Sequence, residues 1–369
     1  MPKAGMKTIY SKRIRTLKGR LEDAGLRGAI IVPGPNMQYF TGVNSLLLER
    51  PFMLLVPAEG EPHLVSPAFE AGPYEAGSVP LEIHTWTDSQ GSDGAIAKAV
   101  KGAGVKGKWG VEGRVPYLYL DRMMKRASPK LKSAEPILQG MREVKDEEEA
   151  KLLRKAARIL SSAFDEFPGL LREGATELEV AKAAVDLIYA KGASRVDDML
   201  VQSGARAADP HGLPSAKKIG RGESVIMDVG ATFEGYYADI TRAFCLGQSP
   251  EMEKVYQKVL EANKSGIGEA AKGVRVGDVD AAARTVLKKA GLGKYFTHRT
   301  GHGLGLEIHE APYIVEGGRE VLDSGMCFTV EPGVYIKGRL GVRIEDDVLI
   351  EGKRGVAITD TPKEFGWWR

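Results

Sequence analysis

Two stretches of this chain place acidic residues inside apolar, β-branched runs at similar spacing. The first contains Asp228 and Asp239, and the second contains Glu331 and Glu345. Each stretch is typical of a β-hairpin, in which positions symmetric about the turn face each other on one side of the ribbon. The two members of each pair are therefore predicted to lie directly opposite one another. This arrangement predicts that four carboxylates converge.

Four ionised carboxylates need compensation in an apolar interior, because like charges raise one another's pKa and each buried charge costs several kcal/mol. Two divalent cations would balance the four charges, and a neutral imidazole could fill a further coordination position. We call the stretch with Asp228 and Asp239 and the stretch with Glu331 and Glu345 the two acidic frames. His302 supplies an imidazole between them, in a Gly-His-Gly segment that permits close backbone approach. A single acidic residue on a strand is usually a solvated surface residue, but that explanation does not account for four in matching frames.

Size and composition exclude several classes of protein. The 369 residues suffice for two domains, and 43% hydrophobic with 27% charged residues is typical of a globular chain. A net charge of +3 gives no electrostatic argument for nucleic-acid binding. No apolar run approaches the roughly 20 residues of a membrane span, and the first residues lack the apolar segment of a secretory signal. We therefore expect no membrane association and a cytoplasmic location.

The chain divides by pattern near residue 140. Residues 1–140 alternate helix-like and strand-like segments, which predicts an α/β domain, and they lack both glycine motifs that bind phosphates. A charged helix is predicted to begin near Lys145, and the order helix, helix, strands returns near Pro250. Residues 141–369 are therefore predicted to form an α+β domain with an internal pseudo-twofold repeat, with the acidic frames where the two similar halves meet.

These residues resemble the pita-bread metallopeptidases, in the branch of aminopeptidase P and prolidase. The resemblance implies a creatinase-like amino-terminal domain over 1–140, a pita-bread catalytic domain over 141–369, and two divalent metal ions. The segments that carry it are Gly301-His302-Gly303-Leu304-Gly305, Ile308-His309-Glu310 and Glu331-Pro332-Gly333. The metal ligands that it implies are Asp228, Asp239, His302, Glu331 and Glu345.

The family pattern also implies how these ligands divide between the metals. Asp228 would chelate one ion, His302 and Glu331 would complete the other, and Asp239 with Glu345 would bridge both. Two such ions about 3.5 to 4 Å apart activate a water for attack on a peptide carbonyl. The donor set leaves manganese, cobalt, zinc and iron open as the metal.

Three residues have catalytic roles implied by the resemblance. Glu331 would also carry the proton from the nucleophile to the leaving nitrogen, His309 would donate to the carbonyl oxygen or oxyanion, and His211 would line the substrate pocket. The odd spacing between His302 and His309 puts them on opposite strand faces unless a turn or bulge intervenes. The other histidines, His63, His84 and His298, are interpreted as ordinary surface or core residues.

Two further residues are expected around the metals. Arg343 lies two positions before Glu345, hence on the same face of a regular strand, and is predicted to be its charge partner. Tyr313 follows His309 where some prolidases carry an arginine that pairs with the carboxylate of a dipeptide. Arg319 and Arg339 are the nearby cations considered as substitutes.

The resemblance implies a proline-containing peptide as substrate and a homodimer as the assembly. Because the arginine is missing at Tyr313, the sequence favours an Xaa-Pro aminopeptidase acting on longer peptides, with an Xaa-Pro dipeptidase as the alternative. A non-peptidase hydrolase on the same fold and a binding protein without catalysis are the competing classes. Creatinase and the binding relatives lose metal ligands, whereas this chain retains all five, which disfavours both. Other non-peptidase hydrolases on this fold that retain the metals stay open as an alternative.

Overall fold

The computed structural model describes residues 4–197 and 199–368. The chain forms two compact units, Met1–Arg142 and Glu143–Arg369, which we call the amino-terminal and carboxy-terminal units. No helix in the described ranges is both long enough and apolar enough to span a membrane.

The amino-terminal unit alternates helices and strands, as the sequence predicts. Its helices are α1 (Ala4–Asp23), α2 (Pro35–Thr41), α3 (Gly72–Glu75), α4 (Asp93–Gly102), α5 (Tyr117–Met124) and α6 (Glu135–Arg142). Its strands are β1 (Gly28–Ile31), β2 (Met53–Pro57), β3 (His63–Pro67), β4 (Glu82–Trp86), β5 (Lys108–Val111) and β6 (Lys130–Ser133).

These six strands form one mixed sheet in the order β4-β3-β2-β1-β5-β6. Strands β1, β2 and β3 are buried along their whole length, and β1 and β2 are the continuous apolar runs expected in the centre of a covered sheet. Strand β4 lies at one edge and is only partly buried.

The carboxy-terminal unit contains four long helices and eleven strands within its described residues. The helices are α7 (Glu147–Phe164), α8 (Glu177–Ala190), α9 (Pro250–Glu269) and α10 (Val276–Lys289). The strands before α9 are β7 (Arg195–Val196), β8 (Leu200–Ser203), β9 (Ser224–Phe233) and β10 (Tyr236–Cys245). The strands after α10 are β11 (Gly301–Gly303), β12 (Glu310–Ile314), β13 (Cys327–Val330), β14 (Gly333–Ile336), β15 (Leu340–Arg343), β16 (Asp346–Glu351) and β17 (Arg354–Ala357).

The order helix, helix, strands thus occurs twice, which confirms the predicted repeat of the pita-bread fold. In the first half, both helices begin with a capping box, in which the N-cap side chain and a glutamate three positions later satisfy free backbone N–H groups. In the second half, apolar residues of α9 and α10, such as Tyr256 and Leu287, pack with Val334 and Val342 of β14 and β15. The helices therefore support the two strands that lie between Glu331 and Glu345 in the chain.

Candidate metal centre

The first acidic pair lies on the hairpin of β9 and β10. The register pairs Asp239 with Gly230 and Asp228 with Thr241. The prediction that Asp228 and Asp239 are directly opposite is therefore wrong by two residues, because the hairpin turns at Glu234 and Gly235, later than symmetry about the pair requires. A shift of two residues keeps both side chains on the same face, so the pair is diagonal and still shares one side of the ribbon.

The second acidic pair lies where two hairpin segments join. Val330 pairs with Asp346 on one side of the junction, and Gly333 pairs with Arg343 on the other. This register keeps Glu331 and Glu345 opposite each other, as predicted, although neither belongs to a strand. Because the pairing is interrupted here, the side-chain directions of Glu331 and Glu345 are not set by the alternation of a regular strand.

His302 lies on β11, where the backbone approaches its neighbours closely. A Cβ atom at Gly301 would lie 1.8 Å from the Thr329 carbonyl oxygen, and one at Gly303 would lie 2.2 Å from that of Ala311. Only glycine fits at either position, so the glycines fix the place of the imidazole between them. The His302 Nδ1 lies 3.1 Å from the Gly303 carbonyl oxygen, which can only accept a hydrogen bond. Nδ1 therefore carries the proton, and Nε2 presents a lone pair.

The structure brings four of the five predicted ligands together around that lone pair. His302 Nε2 lies 3.3 Å from Glu331 Oε1 and 4.0 Å from Asp239 Oδ2. Donor atoms of Asp239, His302 and Glu345 all lie within 4.8 Å of one another. Asp228, the fifth, lines the same cleft. Every atom in this set is an acceptor, so the cluster has the composition of a metal-binding centre.

The electrostatics of the cluster also fit bound cations. Burial, followed by the charges of neighbouring carboxylates, raises the pKa of Asp239 and of Glu345 well above the ordinary range. Burial also raises the pKa of Glu331 to about 7, and burial with the nearby His309 lowers the pKa of His302 to about 3. Asp239 Oδ1 is buried without a hydrogen-bond partner. Cations at the centre satisfy all of these groups at once, so the residues fit divalent metals.

Arg343 is buried beside the cluster, but its partner differs from the predicted one. Its guanidinium forms an ion pair with Asp228, not with Glu345. Its Nε donates to Thr241 Oγ1 over 3.0 Å, and that hydroxyl in turn contacts Glu345. The prediction failed because β15 ends at Arg343, so Glu345 is not on the same regular strand.

Several residues around the cluster were missed by sequence reasoning. Asp347 Oδ2 accepts a 3.0 Å hydrogen bond from the Asp239 backbone N–H, and the Tyr335 hydroxyl accepts one of 2.7 Å from Arg343 Nη1. His298 Nε2 lies 2.9 Å from the same hydroxyl. Asp347 directly follows the predicted acidic frame, which was the only available signal; nothing in the local pattern indicates the other two.

His309 and His211 both line the cleft above the cluster. A six-residue loop joins β11 to β12, which pairs with it antiparallel. The turn that the odd spacing between His302 and His309 required is therefore present. It places the His309 ring 4.2 Å from the His302 ring, centroid to centroid, with the planes perpendicular. His211 lies in an exposed turn that reaches the same cleft.

The cleft has a volume of about 960 Å³ and carries two cations that the sequence analysis did not single out. Arg299 and Arg195 both line it, and the Arg299 guanidinium lies 4.5 Å from the centroid of the Tyr313 ring. Tyr313 itself is not among the lining residues. Neither Arg319 nor Arg339 lines the cleft, and Arg339 instead pairs with Glu251.

Comparisons with known proteins show the family of this chain. Residues 151–352 match metallopeptidase family M24, and residues 13–144 match the creatinase/prolidase N-terminal domain. The chain is 35% identical to a probable dipeptidase, PepE, of Mycobacterium tuberculosis over 97% of its length and 96% of the relative's. It is 32% identical to an Xaa-Pro dipeptidase of Pyrococcus horikoshii, over 97% and 99% respectively.

Solved structures give the same result. The prolidase of Thermococcus sibiricus superposes with a TM-score of 0.91 at 37% identity and covers 96% of this chain and 98% of that one. The X-Pro aminopeptidase of Thermotoga maritima superposes with a TM-score of 0.84 at 30% identity, over 95% and 98%. The chain belongs to metallopeptidase family M24 and is a metal-dependent peptidase.

Metal binding to this centre is expected to weaken as the pH falls. In the metal-free folded chain the pKa of Glu331 is about 7, above its ordinary value of 4.5. Between these two pH values the folded state holds a proton that the unfolded chain has lost. The contribution of Glu331 to the stability of the metal-free protein is therefore fully present below pH 4.5 and is lost as the pH rises through about 7. Metal ions displace the same proton, whereas His302, with a pKa of about 3, is already neutral and does not compete.

The rise in melting temperature on adding Mn²⁺ is therefore expected to grow between about pH 5 and about pH 8. Differential scanning calorimetry of the metal-free and loaded protein measures this difference. Calorimetric titration in two buffers of different ionisation enthalpy counts the protons released. A metal-induced rise that is constant with pH, with no proton release near pH 6, contradicts the expectation.

Proposed function

We propose that this chain is an Xaa-Pro dipeptidase, which hydrolyses the bond between an amino-terminal residue and a following proline. The carboxylates of Asp228, Asp239, Glu331 and Glu345 together with His302 Nε2 would hold two divalent ions. The observation that carries the proposal is a buried set of acceptor atoms at the base of a cleft that Arg299 also lines.

The chemistry divides between the metals and the chain. When bound, the metals supply Lewis acidity, which polarises the peptide carbonyl and lowers the pKa of a water molecule. The Glu331 carboxylate accepts a proton from the attacking water and delivers it to the proline nitrogen as the carbon–nitrogen bond breaks. His309 donates a hydrogen bond to the carbonyl oxygen as negative charge develops there.

The choice of a dipeptidase revises the preference for an aminopeptidase. That preference rested on a missing arginine at Tyr313, but Arg299, whose guanidinium lies 4.5 Å from the centroid of that ring, lines the cleft. Within the described residues the Arg299 guanidinium has no carboxylate within 4.0 Å, so it is available to a substrate carboxylate. The relatives named dipeptidase and prolidase favour the same alternative.

Arg299 is expected to set the preference for dipeptides. A guanidinium pairs with a free α-carboxylate through two parallel hydrogen bonds, whereas a lysine offers only a point charge. Arg299→Gln is expected to lower kcat/KM for an Xaa-Pro dipeptide about 10- to 100-fold, since charged hydrogen bonds contribute about 1.5 to 3 kcal/mol. The loss on the tripeptide Xaa-Pro-Yaa with the same first residue is expected to be smaller.

The parent protein, loaded with Mn²⁺ or Co²⁺, is compared first on the two substrates. The dipeptide is expected to give the higher kcat/KM. Arg339→Gln is the matched control, because that arginine is exposed, pairs with Glu251 and does not line the cleft. Equal efficiency on both substrates, or a higher value on the tripeptide, overturns the dipeptidase proposal and restores the aminopeptidase.

A further inference from the structure

A second group of metal-binding side chains lies on the sheet of the amino-terminal unit. Strands β3 and β4 pair in parallel, with His63 opposite Glu82 and Val65 opposite His84. Glu82 and His84 are two residues apart on one strand, so their side chains share a face with the side chain of His63. Because β4 is the edge strand, this group forms at the border of the sheet.

The donor atoms are spaced as ligands of one ion. His63 Nδ1 lies 3.0 Å from His84 Nε2 and 3.4 Å from Glu82 Oε2, and all three donor atoms lie within 4.8 Å of one another. Donors bound to a tetrahedral zinc at about 2.0 to 2.2 Å stand about 3.3 to 3.6 Å apart. The observed spacing therefore needs only small side-chain adjustments to surround an ion.

Hydrogen bonding alone satisfies this group poorly. If His84 donates from Nε2, the lone pair of His63 Nδ1 receives that proton while also facing the Glu82 carboxylate. If His63 donates from Nδ1, its single proton must be shared between a nitrogen and an oxygen. A cation among the three satisfies both imidazoles and the carboxylate together.

The surroundings hold His63 in place and leave the group open on one side. A Cβ atom at Gly102 of α4 would lie 2.3 Å from His63 Cε1, so the ring packs directly against the helix backbone. The His63 side chain is only 4% exposed, whereas that of Glu82 is 60% exposed.

We propose that His63, Glu82 and His84 bind one divalent transition-metal ion of the zinc class, distinct in its residues from the peptidase centre. Two imidazoles and one carboxylate give this site more nitrogen donors than the carboxylate-rich centre, which favours zinc over manganese. Water completes the coordination on the exposed side. The ion joins β3 to the edge strand β4, so its role is structural.

Zinc content tests the proposal on the full chain. The protein is stripped with a chelator and brought to equilibrium by dialysis against micromolar free Zn²⁺, and bound metal is measured by mass spectrometry. His84→Ala is expected to hold one zinc fewer per chain than the parent. Glu61→Gln, which changes an exposed carboxylate just before β3, is the matched control and is expected to hold the parental amount. Equal zinc content in His84→Ala and the parent overturns the proposal.

A second measurement compares two variants in which the peptidase centre is weakened equally. In an Asp239→Asn background, Zn²⁺ is expected to raise the melting temperature, and adding Glu82→Gln is expected to weaken zinc binding at the amino-terminal site about tenfold or more. Glu82 is exposed, so this change leaves the fold unaffected. An identical zinc titration with and without Glu82→Gln shows that the three side chains form only a hydrogen-bonded cluster and overturns the proposal.

Discussion

Asp239→Asn is expected to lower kcat/KM by about a thousandfold or more while leaving the chain folded. Asparagine has nearly the same shape as aspartate but lacks the charge, so it removes a metal ligand without removing core volume. Metals contribute several kcal/mol to stabilising charge in a hydrolytic transition state, and each 1.36 kcal/mol corresponds to about a tenfold change in rate. Asp239 is 5% exposed and has a buried oxygen without a hydrogen-bond partner, so no other group replaces it.

The stability of the same variant distinguishes a metal ligand from a structural residue. Burial raises the pKa of Asp239, so in the metal-free protein a neutral amide is expected to be at least as stable as the carboxyl group. The rise in melting temperature on adding metal is expected to shrink. Asp186→Asn, on the exposed face of α8, is the control and is expected to behave as the parent in both measurements. Near-parental turnover by fully loaded Asp239→Asn would rule out the proposed centre.

His309→Ala is expected to lower kcat by about 10² to 10³ with little change in KM, because a donor to the developing oxyanion stabilises the transition state more than the substrate. Burial, and then the charge of Arg299, lowers the pKa of His309, so the ring acts as a neutral donor. Its ring lies against that of His302 at 4.2 Å, which places it beside the cluster. Steady-state kinetics on an Xaa-Pro dipeptide measure both parameters.

His211→Ala provides the comparison, since His211 lines the cleft from an exposed turn. Its loss is expected to raise KM more than it lowers kcat. Metal content measured in both variants separates a catalytic defect from metal loss. If His309→Ala shows an unchanged kcat and only a raised KM, then His309 binds the substrate and does not stabilise the oxyanion.

Much of the centre was predictable because it depends on local patterns. The two acidic frames, the imidazole between them and the glycines beside it all follow from residue types and short-range spacing. The turn that unites His302 and His309 was also required by their odd separation. Whether Asp228 and Asp239 lie directly opposite each other was not predictable from the sequence. Moving a hairpin turn by one residue shifts every cross-strand pair by two residues without changing the face on which the side chains lie.

For peptide length, the relatives favour the dipeptidase alternative over the aminopeptidase that the sequence analysis preferred. The absence of an arginine at Tyr313 was visible, but the presence of Arg299 and Arg195 in the cleft was not. Arginine has a long side chain, and several loops converge on one cleft. The position of an arginine in the sequence therefore does not fix where its charge acts. The cluster at His63 was missed for a related reason, since its two histidines lie on different strands.

The sequence by itself determined which donor types this protein carries, their frames and the repeat that brings two acidic hairpins together, because strand alternation and helix period are local properties. Only the tertiary structure decided which groups pair. Thr241 contacts Glu345, and Asp347 accepts from the Asp239 backbone, across separations of 104 and 108 residues. Arg343 pairs with Asp228 for the same reason. Such contacts depend on how the two halves pack, and packing is set by the whole core rather than by any single segment.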